Sequence, residues 1–156
     1  MRHIISILLE NEAGALSRVA GLFSARSYNI ESLSVGPSED ESASRMTIVT
    51  SGNDSVIEQV VKQLDKLIDV IEVSEITSAE HIEREIVFVK IKKNSIDEKK
   101  LDHFPNNEFF KIHKTISNDI IIECIDSPEN INIFLESIKN ITIKIVRSGS
   151  IGISCN

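Results

Sequence analysis

At 156 residues with 41% hydrophobic content, the chain is long enough for one ordinary domain or two small ones with real cores. No apolar run approaches the roughly 18 residues that a membrane-spanning helix needs. A net charge of −7 without a Lys/Arg cluster, and 4% aromatics without tryptophan, argue against phosphate-backbone binding and base stacking.

Met1-Arg2-His3 leads straight into a strand-like run with no small-residue cleavage site, so the expectation is a soluble cytoplasmic protein with no membrane or nucleic-acid partner. Cys124 lies in an apolar run and Cys155 near the end, which reads as one buried thiol and one tail thiol. His3, His81, His103 and His113 show no metal-ligand spacing.

Taken in chain order, residues 3–9 read as a strand with Ile5, Ile7 and Leu9 on one face. Residues 14–26 have helical spacing, with Leu16, Val19, Ala20 and Phe23 on one stripe. Residues 30–36 and 45–50 form two strands around the polar loop 37–42. Gly52-Asn53-Asp54-Ser55 supplies cap residues for a helix carrying Ile57, Val60, Val61, Leu64 and Leu67. Residues 70–76 close this half as a strand with Ile71 and Val73 on one side. The order is βαββαβ, a ferredoxin-like arrangement.

The second half repeats the order less clearly. Strands are expected at 85–92, 109–115, 119–126 and 141–147, a weak helix at 95–104, and a helix at 128–139 capped by Ser127 with Pro128 at its first position. The fold class is therefore α+β, two ferredoxin-like modules in tandem: 1–77, a charged link at 78–84, and 85–156. Ser148-Gly149-Ser150-Ile151-Gly152 looks superficially like a phosphate loop, but it follows a strand and precedes no helix, so it reads as a loose tail.

Unusual residues concentrate between the first strand and the first helix. Asn11 can cap through its side chain, and Gly14 permits positive φ or close backbone approach. The amides of residues 15–17 lie in the first helical turn without intrahelical acceptors, which makes a donor-rich mouth suited to a carboxylate. Asn29, just before the second strand, can both donate and accept, which suits a ligand bearing carboxylate and ammonium together. Turn grammar explains the same residues, and the spacing alone leaves both readings open. No Ser or Cys is paired with a base and no carboxylates converge, so catalysis is not indicated.

Asn11-Glu12-x-Gly14-x-Leu16-Ser17-Arg18-Val19-x-Gly21-Leu22-Phe23-Ser24, Tyr28-Asn29-Ile30-Glu31-Ser32-Leu33 and Ser44-Arg45-Met46-Thr47-Ile48 closely resemble the small, regulatory subunits of acetolactate synthase. Val73-Ser74-Glu75, His81-Ile82-Glu83-Arg84-Glu85 and Arg147-Ser148-Gly149 extend the likeness over the whole chain, densely through residue 92 and thinly beyond. The resemblance implies that residues 1–77 are an ACT domain that dimerises and binds an amino-acid effector, L-valine. It implies a subunit without an active site, which activates the catalytic large subunit and confers feedback inhibition in branched-chain amino acid synthesis. Thiamine diphosphate, Mg²⁺ and FAD would belong to that partner, and this chain would carry none.

Carried over by residue, the effector loop is Asn11, Gly14, Ala15 and Leu16, and the second contact is Asn29 and Ile30, supplied across a homodimer seam. Two alternatives accompany this reading: an activating scaffold that has lost effector sensing, and a small ferredoxin-fold hydrolase. Ser27 stands where the family has glycine, which favours the first alternative. The connection beginning Lys92-Lys93-Asn94-Ser95 lacks glycine, so no second effector site of this design is expected.

Overall fold

A computed structural model describes residues 1–92, 109–115 and 119–155. The helix expected at 95–104 and most of the connection that begins at Lys92 lie outside the described residues. Two compact units emerge: Met1–Glu83 with Ser150–Asn156, and Arg84–Gly149.

The first unit contains β1 (Arg2–Glu10), α1 (Ala15–Ser24), β2 (Ile30–Pro37), β3 (Ala43–Ser51), α2 (Asp54–Leu64) and β4 (Val70–Glu75). The strands pair antiparallel in the order β2-β3-β1-β4, which leaves β2 and β4 as edges. Alternation in β1 sends Ile5, Ile7 and Leu9 to the helix side, where they join Val19, Leu22, Phe23, Met46, Ile48, Ile57, Val60 and Leu64 in one core. This is the ferredoxin-like order expected from the hydrophobic spacing.

Three local details depart from the expected pattern. Leu16 is 44% exposed, because the buried stripe of α1 is Ala15, Val19, Leu22 and Phe23. Ile71 is 56% exposed while Val70 and Val73 face the core, because the β1–β4 register shifts between Leu8 and Leu9. A bulge of this kind puts residues three apart on one face. Finally, α1 stops at Ser24 rather than reaching residue 26. The chain leaves it through a turn in which the Tyr28 amide donates to the Phe23 carbonyl (3.0 Å) and the Ser27 amide to the Ser24 carbonyl (3.1 Å), with Ser27 at φ 58°. That is a Schellman-type ending with serine in the left-handed position.

Residues 148–155 are not loose. After a turn at Gly149 (φ 77°), β9 (Ile151–Ser154) lies against β1 and β3 of the first unit. The Ser150 amide donates to Ser32 Oγ (2.9 Å) and the Gly152 amide to Thr47 Oγ1 (3.4 Å). A Cβ at Gly152 would stand 3.0 Å from Ile76 Cδ1 and 3.5 Å from Ile4 Cγ2, so a larger residue would crowd Ile76 here. The strand covers the sheet face opposite the helices, which is why Ile4, Ser6, Thr47 and Val49 are buried as well.

β5 (His81–Lys92) begins within residues 81–84, which the sequence reading assigned to a link, and continues into the second unit. That unit adds β6 (Phe110–Lys114), β7 (Asp119–Asp126), α3 (Pro128–Ile138), a 3-10 turn (Lys139–Ile141) and β8 (Thr142–Arg147). The strand order is β6-β7-β5-β8, with β9 also pairing with β5. The core gathers Val87, Val89, Ile91, Ile120, Ile122 and Cys124 beneath Ile131, Phe134 and Ile138 of α3. The sequence reading ends the second module at residue 156, whereas by contact the second unit ends at Gly149 and the residues that follow belong to the first.

Candidate functional site

The loop between β1 and α1 is held by its backbone. The Asn11 amide donates to the Ser42 carbonyl (2.7 Å) and Asn11 Nδ2 to the Glu41 carbonyl (3.3 Å), which ties the loop to the β2–β3 connection. Asn11 therefore does not cap α1, and no side chain does. The N-cap position is Gly14, left-handed at φ 96° and ψ −16°, where an L side chain is strained.

The donor-rich mouth is narrower than the spacing suggests. The Ala15 amide is spent on the Glu12 carbonyl at 3.3 Å, and the Ala15 side chain is buried in the core. The amides of Gly14, Leu16 and Ser17 meet no acceptor among the described residues. No acidic residue occupies the first turn of α1, so its positive end is not neutralised internally. Leu16, half-exposed, stands beside these amides.

One chain does not bring the two halves of the expected site together. Ile30 pairs with Thr50, and Thr50 with His3, at the end of the sheet where β1 begins. The 11–14 loop follows Glu10 at the other end. From His3 to Glu10 at about 3.4 Å per residue is roughly 24 Å. Asn29 is exposed, and its carbonyl accepts from Thr50 Oγ1 at 2.6 Å; Ile30 is half-buried.

The residue that supports this loop went unnoticed in the sequence. Arg18, one turn into α1, forks onto Asp69 through Nε and through Nη2 (2.6 Å to Oδ1), and the Asp69 side chain is 5% exposed. The Arg18 guanidinium holds the Asp69 carboxyl below its usual range, and the carboxylate in turn raises the guanidinium. The Asp69 carbonyl also accepts from the Glu10 amide at 2.8 Å, so one residue ties the end of β1 to α1. The only available signal was a lone aspartate inside the apolar run from Leu67 to Ile71.

Two cavities lie elsewhere in the first unit. One of about 440 Å³ is lined by His3, Ile57, Val61, Glu75 and neighbouring residues; another of about 430 Å³ is lined by Arg18, Leu22, Arg26, Gln63, Lys66 and Leu67. Neither includes Gly14, Leu16, Asn29 or Ile30. Among the described residues no three His, Cys, Asp or Glu side chains gather as a metal site, and no helix is long and apolar enough to cross a membrane.

Comparison with known proteins identifies the family. The family described as "AHAS small subunit-like ACT domain" matches residues 5–72, and that described as "Small subunit of acetolactate synthase" matches residues 84–156. The acetolactate synthase small subunit of Buchnera aphidicola subsp. Baizongia pistaciae is 48% identical over 159 residues, covering all of both chains. The isozyme 3 small subunit of Escherichia coli K12 is 44% identical, covering 99% of this chain and 96% of that one. The crystal structure of the small subunit from Thermotoga maritima agrees with a TM-score of 0.84 at 31% identity, over 99% of this chain and 97% of the other. The chain belongs to the acetolactate synthase small-subunit family, and its first unit is that family's ACT domain.

Proposed function

We propose that this chain binds and activates the catalytic large subunit of acetolactate synthase and makes it sensitive to feedback inhibition by L-valine. The observation that carries the effector reading is the entrance of α1: a left-handed glycine, three unpaired amides, no capping side chain and no acidic first turn. An effector carboxylate meets the Gly14, Leu16 and Ser17 amides. The Asn11 and Asn29 side-chain oxygens take its ammonium, and Leu16 and Ile30 its branched side chain.

The separation of the two halves supports a homodimer as the unit that binds. β2 is an edge strand, and Pro37, Ser44 and Leu9 share one level beside the 11–14 loop. Two copies related by a two-fold axis along their β2 edges would set the Ile30 end of one beside the Pro37 end of the other. That completes each site with Asn29 and Ile30 from the second copy. Valine then shifts the dimer's grip on the catalytic subunit by no more than its differential affinity for the two arrangements. Burial of its side chain contributes about 1.5–3 kcal/mol and each charge-assisted hydrogen bond about 1.5–3, before association costs. Thiamine diphosphate, Mg²⁺ and FAD are assigned to the catalytic partner, which joins two pyruvates, or pyruvate and 2-oxobutyrate.

A second reading, an activating scaffold without sensing, draws on Ser27, whose left-handed backbone (φ 58°) lies two residues before the Asn29-Ile30 contact. The hydrolase reading loses its anion-binding arginine, since Arg18 is engaged by Asp69. Titration calorimetry of the full chain with L-valine, using D-valine as control, separates the first two. Saturable, stereoselective heat supports sensing, and silence from a folded dimer across millimolar valine supports the scaffold.

A further inference from the structure

We propose that the cleft between α1 and α2 is where an acidic segment of the catalytic subunit docks, an inference that rests on the regulatory-subunit reading above. The chain is acidic overall, at −7, yet every charged residue lining this cleft is a cation: Arg18, Arg26 and Lys66. Asp69 takes the Arg18 fork. Arg26 donates only to the Leu22 carbonyl (3.3 Å), and neither Arg26 nor Lys66 forms an ion pair among the described residues. Two exposed cations therefore flank an apolar floor of Leu22 and Leu67 without internal compensation.

A second, independent observation points to the same place. Among the described residues, the only buried side-chain oxygen or nitrogen without a hydrogen-bond partner is Gln63 Oε1, and Gln63 lines this cleft. Buried acceptors are nearly always paired, so an unmet one marks a group waiting for a donor.

The occupant that fits is a polypeptide segment with two carboxylates for Arg26 and Lys66, an N–H or O–H donor for Gln63, and an apolar residue over Leu67. With about 430 Å³ of open space, the cleft takes a few side chains. The β2 edge remains available for self-pairing, so the two surfaces do not compete. Charge complementarity of this type acts chiefly on association rate and on salt dependence.

The test uses the full chain and its cognate catalytic subunit. Half-saturation for activation is measured for the natural chain, for Arg26→Glu with Lys66→Glu, and for a charge-matched control in the second unit, Lys139→Glu with Lys144→Glu. The expected result is a rise of tenfold or more in half-saturation for the cleft variant alone, and a weaker salt dependence. Circular dichroism and unchanged valine binding by the variant show that it is folded. If the cleft variant stays within twofold of the natural chain, or if the control weakens equally, the docking site is overturned. A changed self-association state with unchanged half-saturation would make the cleft an interface between copies and overturn it too. A natural chain that fails to activate at all would instead defeat the regulatory-subunit reading itself.

Discussion

Helices α1 and α2 pack together in one unit yet begin in opposite ways. At α2 the Asn53 side chain accepts from the Val56 amide at 3.0 Å, Ser55 Oγ donates to the same oxygen, and Asp54 sits in the first turn. In the second unit, α3 begins likewise, with Ser127 accepting from the Asn130 amide, Pro128 first and Glu129 in the first turn. Each of those two entrances gives one amide a cap side chain and places an acidic residue at the positive end of the helix. The entrance of α1 has neither a cap nor an acidic residue, and its N-cap glycine occupies a conformation that other residues avoid. A fold that caps its two other described α-helices with side chains has left this one open to something outside the chain.

The strongest way to break this contrast is Gly14→Asp. A carboxylate placed at the open amides would occupy the proposed anion seat, and its Cβ would also crowd Arg18 Nη1, which stands 3.0 Å from that position. Valine inhibition of the reconstituted enzyme is expected to vanish while activation survives. Undiminished inhibition would remove the effector site from this loop.

Acid should separate the two units next. Asp69, Glu75 and Glu83, all in the first unit, titrate below their ordinary values. Arg18 is the main cause for Asp69. For Glu75 and Glu83 burial pushes upward, but hydrogen bonds from Thr77, His3 and Ser78 in the one case, and from Arg2 and Ser150 in the other, outweigh it. A carboxylate whose folded value is depressed stabilises the fold fully above its unfolded value of about 4, and that contribution disappears as pH falls through the folded value. Hydrogen exchange at pH 7 and near pH 3 should therefore show β1–β4 losing protection before β7, β8 and the part of β5 in the second unit, residues 84–92. The reverse order would contradict the assignment.

How much of this was legible beforehand follows from how far apart the partners stand in the chain. The caps at Asn53 and Ser127 were readable because each is a three-residue interaction, and the strands were readable because alternation is local. The fork of Arg18 onto Asp69 spans 51 positions and left only an aspartate out of place in an apolar run. The bulge beside Leu9 was invisible because register belongs to the partner strand. Ile151-Gly152-Ile153-Ser154 does alternate, but its terminal position concealed that Gly152 fits under Ile4 and Ile76. For the site, Gly14 carried its conformation in its identity. By contrast, the loss of the Ala15 amide to Glu12 and of Asn11 Nδ2 to Glu41 depended on a loop geometry that spacing does not specify.

Removing the cap that α2 has and α1 lacks sharpens the comparison at smaller scale. Asn53→Ala should cost about 1 kcal/mol, read as a melting temperature lower by roughly 2–4 °C in a chain of this size, with valine inhibition unchanged. Asn11→Ala removes no cap, so its stability effect should stay within about 0.5 kcal/mol while valine inhibition weakens. If the two variants exchanged phenotypes, the division of labour between the helix entrances would be wrong.

The smallest expected effect is at the other end of α1. Ser27 ends the helix at φ 58°, a region that costs an ordinary residue about 1–2 kcal/mol. Glycine there removes that strain but surrenders about 0.5–1 kcal/mol of backbone freedom on folding. The difference leaves Ser27→Gly more stable by about 0.5 kcal/mol, a rise of one or two degrees in melting temperature. Its consequence for function exceeds its size, because the Tyr28 amide that closes this turn lies one residue before Asn29. If the strained serine loosens that contact, the glycine variant binds valine more tightly than the natural chain, and calorimetry will read the gain directly. If the variant is stabler but its valine affinity is unmoved, the turn is purely structural and the scaffold reading loses the residue that speaks for it.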